Sequence, residues 1–367
     1  MPTRLRKSIS GVLGGIALCL VAVVLLYWNE GRAVKTARGL AEGETSVVAI
    51  SNVDRDDLST HGGLVHLTGL AAGNEVLADD AFDKQVEALK LRRSVEMLQW
   101  RENSESKTRT KIGGGTETET NYTYEKIWSE SLIDSSRFAD TSYVNPPGKP
   151  LESREVEANE IRVGVFRLGA GLVARLNRYE ELSAPETLPD GHVAQGNVIF
   201  RSSDPNAPQV GDLRIIFKAA MPAEVSIVAR NNAGVLDGFS TSTGSTIQLL
   251  QYGSHDVVEM FDAAKSANKT VTFGLRILGV ILLFLGIQSV LGPIAVVADV
   301  LPIVGRVTRL GTTLLAGIVA MPTAFVTISI AWLYYRPLIG VGVLLLGGVL
   351  TAALIWFARK RRPAAAH

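Results

Sequence analysis

The residues that could perform chemistry are few, and their spacing matches no familiar catalytic or metal-binding motif. The five histidines form no metal-binding motif, because none has the spacing of a helical ligand pair and the chain lacks the cysteine pair of a zinc finger. The acidic stretch at Asp54–Asp57 lacks the glycine and the terminal glutamate of a calcium-binding EF-hand. No G-x-S-x-G elbow, phosphate-binding loop or dinucleotide fingerprint occurs. We therefore predict no catalytic, metal-binding or cofactor-binding residue. The histidines are His61, His66, His192, His255 and His367.

A pair of arginines stands out among the polar residues. Apolar residues alternate through Leu89–Met97, and Arg93 has the same parity as the apolar ones, so it points toward the same core. An inward arginine needs a carboxylate or carbonyl partner. The structural interpretation is an ion pair within the domain, and the alternative is a contact with a ligand or another subunit. The predicted structural or interface residues are Arg92, Arg93, Glu96, Trp100, Tyr124 and Trp128.

Four apolar runs are long enough to cross a bilayer, which takes about 20 residues of helix. They cover residues 9–28, 271–291, 311–333 and 337–358. The first run exceeds the apolar core of a cleaved signal peptide and lacks a small-residue cleavage site, so we interpret it as a signal anchor. Its Cys19 is the only cysteine in the chain, which excludes a disulfide or a catalytic thiol from the rest.

Residues 31–270 contain no such run and consist mainly of alternating, β-branched segments. We predict a membrane protein of the α+β class with four transmembrane helices, one N-terminal and three C-terminal. A large, mostly-β extracytoplasmic domain is inserted between helices 1 and 2. The other predicted segments are a basic cytoplasmic N-terminus (1–8), a cytoplasmic loop or interfacial segment (292–310) and a basic cytoplasmic tail (359–367).

The charge distribution orients the chain. The net charge of +1 is the sum of +9 in residues 1–30 and 271–367 and −8 in the domain between them. Basic clusters before the first span, after the second and after the fourth fall on one side, which the positive-inside rule assigns to the cytoplasm. The mildly acidic domain has no basic face for nucleic acid.

Within the domain, Glu117–Trp128 is predicted as a long strand, and Asn231–Gly234 as a hairpin turn. Residues 79–100 fit a short helix followed by a strand. A helix capped by Ser254 is predicted to run into the second span. The proline-rich stretch Pro146–Pro150 suggests a break between two β-rich halves.

Small residues four apart on the spans predict close helix packing, either within one bundle or between subunits. These residues are Gly11, Gly15, Ala316, Ala320, Ala324, Gly348 and Ala352.

Several sequence blocks occur in the order found in one known family. The blocks are Leu89–Glu102, Thr123–Phe138, Asn145-Pro146, Glu152-Ser153, Gly211–Arg214 and Tyr334–Leu338. With the layout of one span before the domain and three after it, they make the chain resemble the transmembrane protein 43 family, also called LUMA, over nearly its whole length. The resemblance implies a self-associating protein of the endoplasmic reticulum or inner nuclear membrane. The family also has bacterial members, and the compact, Ala- and Gly-rich chain indicates a bacterial one. The resemblance transfers no catalytic residues.

The sequence therefore predicts a non-enzymatic membrane scaffold that self-associates and organises envelope proteins. Its predicted partners are membrane lipid, further copies of the chain and envelope proteins. The predicted location is the bacterial inner membrane with the domain in the periplasm, or the endoplasmic reticulum or inner nuclear membrane in a eukaryote. The alternatives are a channel or transporter subunit with a pore among helices 2–4, and an envelope enzyme of unknown chemistry.

Overall fold

A computed structural model describes residues 2–110, 116–298, 302–338, 340–342 and 345. Three long helices dominate it: α1 (Pro2–Ser46), α3 (Val257–Ala298) and α4 (Pro302–Tyr335). A fourth, short helix is α2 (Ala170–Val173). Each long helix contains a segment long and apolar enough to cross a membrane.

The first helix does not end where the apolar run ends. The predicted first span, 9–28, lies inside α1, and the helix continues to Ser46. The added segment, residues 29–46, contains three Ala, three Glu and two Arg, which are good helix formers. It buries Ala33, Val34 and Leu40 against the rest of the protein. The start of the predicted domain, from residue 31, is thus a rigid extension of the membrane helix.

The third helix likewise runs from the soluble domain into the second span without a break, as we predicted. Its first turn is capped by Asp256, whose Oδ1 accepts from Glu259 N at 2.8 Å, and not by Ser254. Helices α3 and α4 both extend into 292–310, where we predicted a loop or an interfacial segment. The reason is that this segment is apolar, and Pro302 stands at the first position of α4, where proline is tolerated. Most of the predicted fourth span, 337–358, lies outside the described residues.

Between α1 and α3, the described residues form eighteen strands. They are β1 (Val48–Ile50), β2 (Leu64–Gly73), β3 (Val76–Asp79), β4 (Lys84–Glu87), β5 (Lys90–Thr110), β6 (Thr116–Ser129), β7 (Arg154–Glu157), β8 (Ile161–Val163), β9 (Phe166–Leu168), β10 (Glu180–Glu181), β11 (Val193–Gln195), β12 (Val198–Arg201), β13 (Leu213–Ala220), β14 (Ala223–Asn232), β15 (Val235–Asp237), β16 (Phe239–Ser240), β17 (Thr246–Ile247) and β18 (Leu249–Tyr252).

Two seven-stranded sheets share one core. In the first sheet, β2, β8, β9, β15 and β14 pair in a closed ring, while β1 and β18 pair with its members. In the second, the order is β11-β12-β13-β5-β6, with β7 and β10 attached. Buried side chains of both sheets, including Leu67, Val95, Phe217 and Ile227, form one apolar cluster. The 21-residue β5 extends beyond the other strands and pairs there with β6 alone.

The sheet pairings overturn two sequence-based predictions. The short helix predicted at the start of residues 79–100 is not formed: residues 76–87 form the β3–β4 hairpin, in which a turn with Asp83 at φ 47° brings Phe82 into the core. The Pro146–Pro150 stretch does not separate two halves, since β2 pairs with β14 and β5 with β13 across it. The predicted hairpin turn is confirmed, with Ala233 and Gly234 both at positive φ.

The membrane helices approach each other closely where glycines face each other. A Cβ atom at Gly15 would lie 2.6 Å from the carbonyl oxygen of Gly286, and one at Gly286 would lie 2.6 Å from Cys19 Sγ. A Cβ atom at Gly11 would meet nothing within 4 Å. Of the two glycines of the predicted G-x-x-x-G face, only Gly15 therefore sits in the α1–α3 contact.

Gly15→Val should destabilise the α1–α3 contact, because its side chain needs space that the backbone of α3 occupies. We expect a loss of about 1–3 kcal/mol, the usual cost of overpacking. The midpoint of thermal unfolding in mild detergent measures it. Gly11→Val is the matched control and should leave the midpoint unchanged. Equal effects of the two substitutions would contradict the close contact at Gly15.

Candidate functional site at the membrane boundary

Polar side chains connect the three long helices at the level where the membrane spans enter the soluble domain. The aromatic residues Trp28 and Tyr334 lie beside this level and are exposed, as expected of a membrane interface. We call the connected residues the boundary cluster. They are Asn29, Glu30 and Arg32 of α1, Asn268, Thr272 and Arg276 of α3, and Trp332 of α4.

Glu30 is the centre of the boundary cluster. Its side chain is fully buried, and it accepts from Arg276 Nε at 2.6 Å and from Arg276 Nη2 at 2.8 Å. Trp332 Nε1 donates to the same carboxylate at 2.7 Å. The guanidinium of Arg276 lies over the Trp332 ring, 5.5 Å from its centroid. One carboxylate thus joins α1, α3 and α4 through three charge-assisted hydrogen bonds.

A second group of bonds lies one turn earlier along α3 and involves Asn29 and Arg32 of α1. Arg32 Nη1 donates to Asn268 Oδ1 at 3.0 Å, and Arg32 Nη2 donates to Thr272 Oγ1 at 2.9 Å. Asn29 Nδ2 donates to the Thr272 carbonyl at 3.0 Å, and Asn268 Nδ2 donates to the Ala33 carbonyl at 3.0 Å. The hydrogen-bond partners of Arg32 are amide and hydroxyl oxygens, so its positive charge is not paired with a carboxylate here.

The end of α4 closes over the same level. A Cβ atom at Gly31 would lie 2.6 Å from the Tyr335 ring, so the glycine lets α4 approach α1. Arg38 Nη2 donates to the Tyr335 carbonyl at 3.0 Å, which satisfies a carbonyl at the end of the helix. The geometry as a whole fixes three helices in one register. Among the named residues of the boundary cluster, no nucleophilic side chain lies beside a base.

In the soluble domain, Arg93 lies in the core. Its Nη1 donates to both carboxylate oxygens of Asp79 at 2.6 Å, and its Nη2 donates to the Glu152 carbonyl at 3.1 Å. Arg93 is 6% exposed and Asp79 2% exposed. The guanidinium also lies 5.8 Å from the centroid of the Phe82 ring. This arrangement holds the β3–β4 hairpin against β5.

Arg92 points to the opposite face of β5 and borders a polar cavity. It donates to Glu130, which also accepts from Ser94 and from Ser153 Oγ at 2.5 Å. The Ser153 hydrogen bond, with help from Arg92, holds the pKa of Glu130 below its ordinary value. In the same cavity, burial raises the pKa of Tyr179 to about 12, so its hydroxyl stays protonated.

Glu96 and Trp128 belong to one surface group. Arg214 Nε donates to the Glu96 carboxylate, and its guanidinium lies 5.0 Å from the centroid of the Trp128 ring. Trp128 also packs edge-on against Phe200, with centroids 6.1 Å apart. These contacts tie β5, β6, β12 and β13 together across one face of the sheet.

Trp100 and Tyr124 lie together at the root of the long hairpin. Tyr124 stacks on Tyr143 at 3.9 Å, and Trp100 meets Tyr143 edge-on at 4.7 Å. Asn145 Oδ1 accepts from Trp100 N at 2.7 Å, and its Nδ2 donates to the Trp100 carbonyl at 2.9 Å. Burial raises the pKa of Tyr124, whose hydroxyl donates to Glu102 at 2.6 Å. The group anchors the loop after β6 to the hairpin.

The alanines predicted for helix packing lie on the inner face of α4. Ala316, Ala320 and Ala324 are 0%, 1% and 3% exposed. Ala320 and Ala324 pack with Ala22, Leu26 and Leu283, so they face α1 and α3 of the same chain. Gly348 and Ala352 lie outside the described residues. The described part of the chain contains no group of three or more His, Cys, Asp or Glu side chains that could hold a metal ion.

Comparison with known proteins identifies the family. The family described as Transmembrane protein 43 matches residues 97–337. Transmembrane protein 43 of Homo sapiens is 32% identical over 98% of this chain and 92% of its own length. The chain belongs to the transmembrane protein 43 family. The Transmembrane protein 43 homolog of Drosophila melanogaster is 29% identical over 97% of this chain and 96% of its own length. No solved structure matches the chain.

The sequence contained a signal for the boundary cluster that we did not use. The sequence puts an acid, Glu30, at the end of the first span, and Arg276 lies inside the second. Opposite charges on two spans at the same depth indicate a pair. Asn29, Asn268 and Thr272 had no such signal, because polar residues at a span end are ordinarily solvated.

Glu30→Gln should destabilise the helix bundle, because it removes the counter-ion of Arg276 and weakens the hydrogen bonds that the buried carboxylate accepts from Arg276 and Trp332. Since the Arg276 side chain is 31% exposed, we expect a loss of about 1–3 kcal/mol, less than the cost of a fully buried unpaired charge. The midpoint of thermal unfolding in detergent is the measurement. Glu44→Gln, which breaks the surface pair of Glu44 with Lys265, is the matched control and should cost less than about 1 kcal/mol. A Glu30→Gln effect as small as the control effect would contradict a central role for Glu30.

The Glu130 carboxylate should make the domain sensitive to acid. Its folded-state pKa lies below the ordinary 4.5, so its stabilising contribution is present above 4.5 and is lost as pH falls through the folded-state pKa. Wild type should therefore exceed Glu130→Gln in unfolding midpoint at neutral pH, and the difference should shrink below about pH 4.5. A difference that is constant from neutral pH to pH 3 would show that Glu130 does not contribute through its charge.

Proposed function

We propose that this member of the transmembrane protein 43 family is a non-enzymatic membrane scaffold that self-associates through its soluble domain and organises other membrane or envelope proteins. The observation that carries the proposal is the continuity of α1 and α3 across the membrane boundary, locked by the buried Glu30. Two continuous helices hold the domain in a fixed orientation over the lipid. A fixed orientation favours lateral contacts between neighbouring copies, because little rotational freedom is lost on assembly.

The long hairpin offers a surface for such contacts. We call residues 101–110 of β5 and 116–126 of β6 the arm. In the described part of the chain, β6 is the outermost strand of its sheet, and the arm pairs with no strand other than its own two. An outer strand carries a row of backbone hydrogen-bonding groups that another chain can pair with. Charged residues such as Glu125 and Lys126 limit indiscriminate pairing and favour a specific partner.

The proposed orientation has both termini in the cytoplasm and the domain on the other side of the membrane. The basic clusters at the span ends support this orientation. The domain then faces the periplasm in a bacterial inner membrane, or the lumen in the endoplasmic reticulum or inner nuclear membrane. The relatives named above are animal proteins, and the chain matches them over almost its whole length.

The channel alternative draws on polar side chains within the spans. Thr323 and Thr327 donate at 2.8 Å to carbonyls one turn earlier in their own helix. Gln288 Nε2 donates to Thr313 at 3.3 Å between α3 and α4. Bonds of this kind satisfy the polar groups within the bundle, and no observation specifically favours a pore or an enzyme site.

Light scattering or mass photometry of the full chain in mild detergent should give a discrete multiple of 39.4 kDa. Tyr122→Asp puts a charge on a half-exposed ring of β6 and should weaken assembly about ten-fold or more, if the arm contains the contact. Val193→Asp changes an equally exposed residue on the opposite outer strand, β11, and should leave assembly unchanged. A monomer at all concentrations, in detergent and in native-lipid nanodiscs, would overturn self-association. If only Val193→Asp caused dissociation, the contact between copies would lie outside the arm.

A further inference from the structure

A cavity of about 490 Å³ lies beside the boundary cluster, between α1, α3 and the last strands of the domain. This juxtamembrane cavity is large enough for a small ligand or a lipid headgroup. Its charged lining residues are Arg32 on α1 and Arg175, which follows α2. The other lining residues include Leu40, Leu249, Met260 and Val271.

The charge of the juxtamembrane cavity is positive and uncompensated. Its lining contains no acidic side chain. Arg32 forms hydrogen bonds only with amide and hydroxyl groups, and its Nε is buried without a partner. The Arg175 side chain makes no ion pair or hydrogen bond with the described part of the chain. Two guanidinium groups with spare donors match the geometry and charge of a phosphate.

The position of the juxtamembrane cavity indicates that the phosphate belongs to a phospholipid. Arg32 is one turn beyond Trp28, which marks the membrane interface, and Val271 is the first residue of the predicted second span. Ala267 and Val271 are exposed and line the cavity on its α3 side. A phospholipid at this level would place its phosphate near the guanidinium groups and its glycerol and first methylenes against apolar side chains.

We propose that the juxtamembrane cavity binds the headgroup of an anionic phospholipid from the leaflet next to the soluble domain. The phosphate pairs with Arg32 and Arg175, and the apolar walls receive the upper part of the acyl chains. The proposal is independent of self-association, because the cavity is formed within one chain. Anionic lipid at this position would neutralise the charge of Arg32, which the protein leaves without a carboxylate partner beside the Glu30–Arg276 pair.

The test uses the full chain in mild detergent and native mass spectrometry with equal amounts of dioleoylphosphatidylglycerol and dioleoylphosphatidylcholine. Wild type should preferentially retain the anionic lipid, dioleoylphosphatidylglycerol. Arg175→Gln should lower its bound fraction about five-fold, the typical effect of one basic residue near anionic lipid. Lys35→Gln is the matched control, since Lys35 is an exposed cation of the same region outside the cavity. An equal loss in both variants, or no preference in wild type, would overturn the proposal.

A second pair of variants separates the cavity from general electrostatics. Ala267→Trp fills the cavity without changing charge and should abolish lipid retention, whereas Ser266→Trp, at an exposed neighbour outside the lining, should not. Inorganic phosphate added in excess should fail to displace the lipid. Displacement would identify free phosphate as the ligand and overturn the lipid assignment. If Ala267→Trp retained as much lipid as wild type, the lipid would not be bound in the juxtamembrane cavity.

Discussion

The buried carboxylate of Glu30 is the constraint on which the rest of the architecture depends. A carboxylate removed from water is costly unless its charge is matched and its oxygens are hydrogen-bonded. The helices provide both, because Arg276 of α3 and Trp332 of α4 lie at the same depth as Glu30. Sliding any one helix by a turn would break these bonds. The apolar contacts deeper in the membrane, such as Gly15 against Gly286, can be close because the register is already fixed.

The same constraint explains how a large β domain can be inserted between two spans. The domain begins and ends as a helix, and α1 and α3 leave the membrane side by side through the boundary cluster. A small apolar group of Leu40, Val228, Ile247 and Phe261 then joins the two helices to the first sheet. Charge pairing thus fixes the helices relative to each other at the membrane, and apolar packing above it fixes the domain on the helices. The domain core can remain an ordinary β core, with Arg93–Asp79 as an internal pair.

Sequence reasoning worked where a pattern has one physical cause. Period-two alternation identified β6, and the Ala233-Gly234 turn followed from the need for positive φ. It failed where two structures share a pattern. Phe82 and Val86 are spaced as on a helix, but a hairpin turn produces the same spacing. Hydropathy marked the apolar part of α1 and had no means of showing that the helix continues to Ser46. The boundary cluster was missed because the partners of Glu30 are 246 and 302 residues away in the chain.

The continuity of α1 has a mechanical consequence. From Glu30 to Ser46 the helix extends about 24 Å beyond the membrane boundary at 1.5 Å per residue. A helix that tilts to match a thinner bilayer carries this extension with it. A tilt of about 10° would move the far end by about 4 Å, given that length. Because α3 is continuous too, the domain is attached to two rigid helices, which are held together at the membrane boundary by the Glu30 carboxylate. Local bilayer thickness is thereby converted into the height and angle at which the domain stands over the lipid.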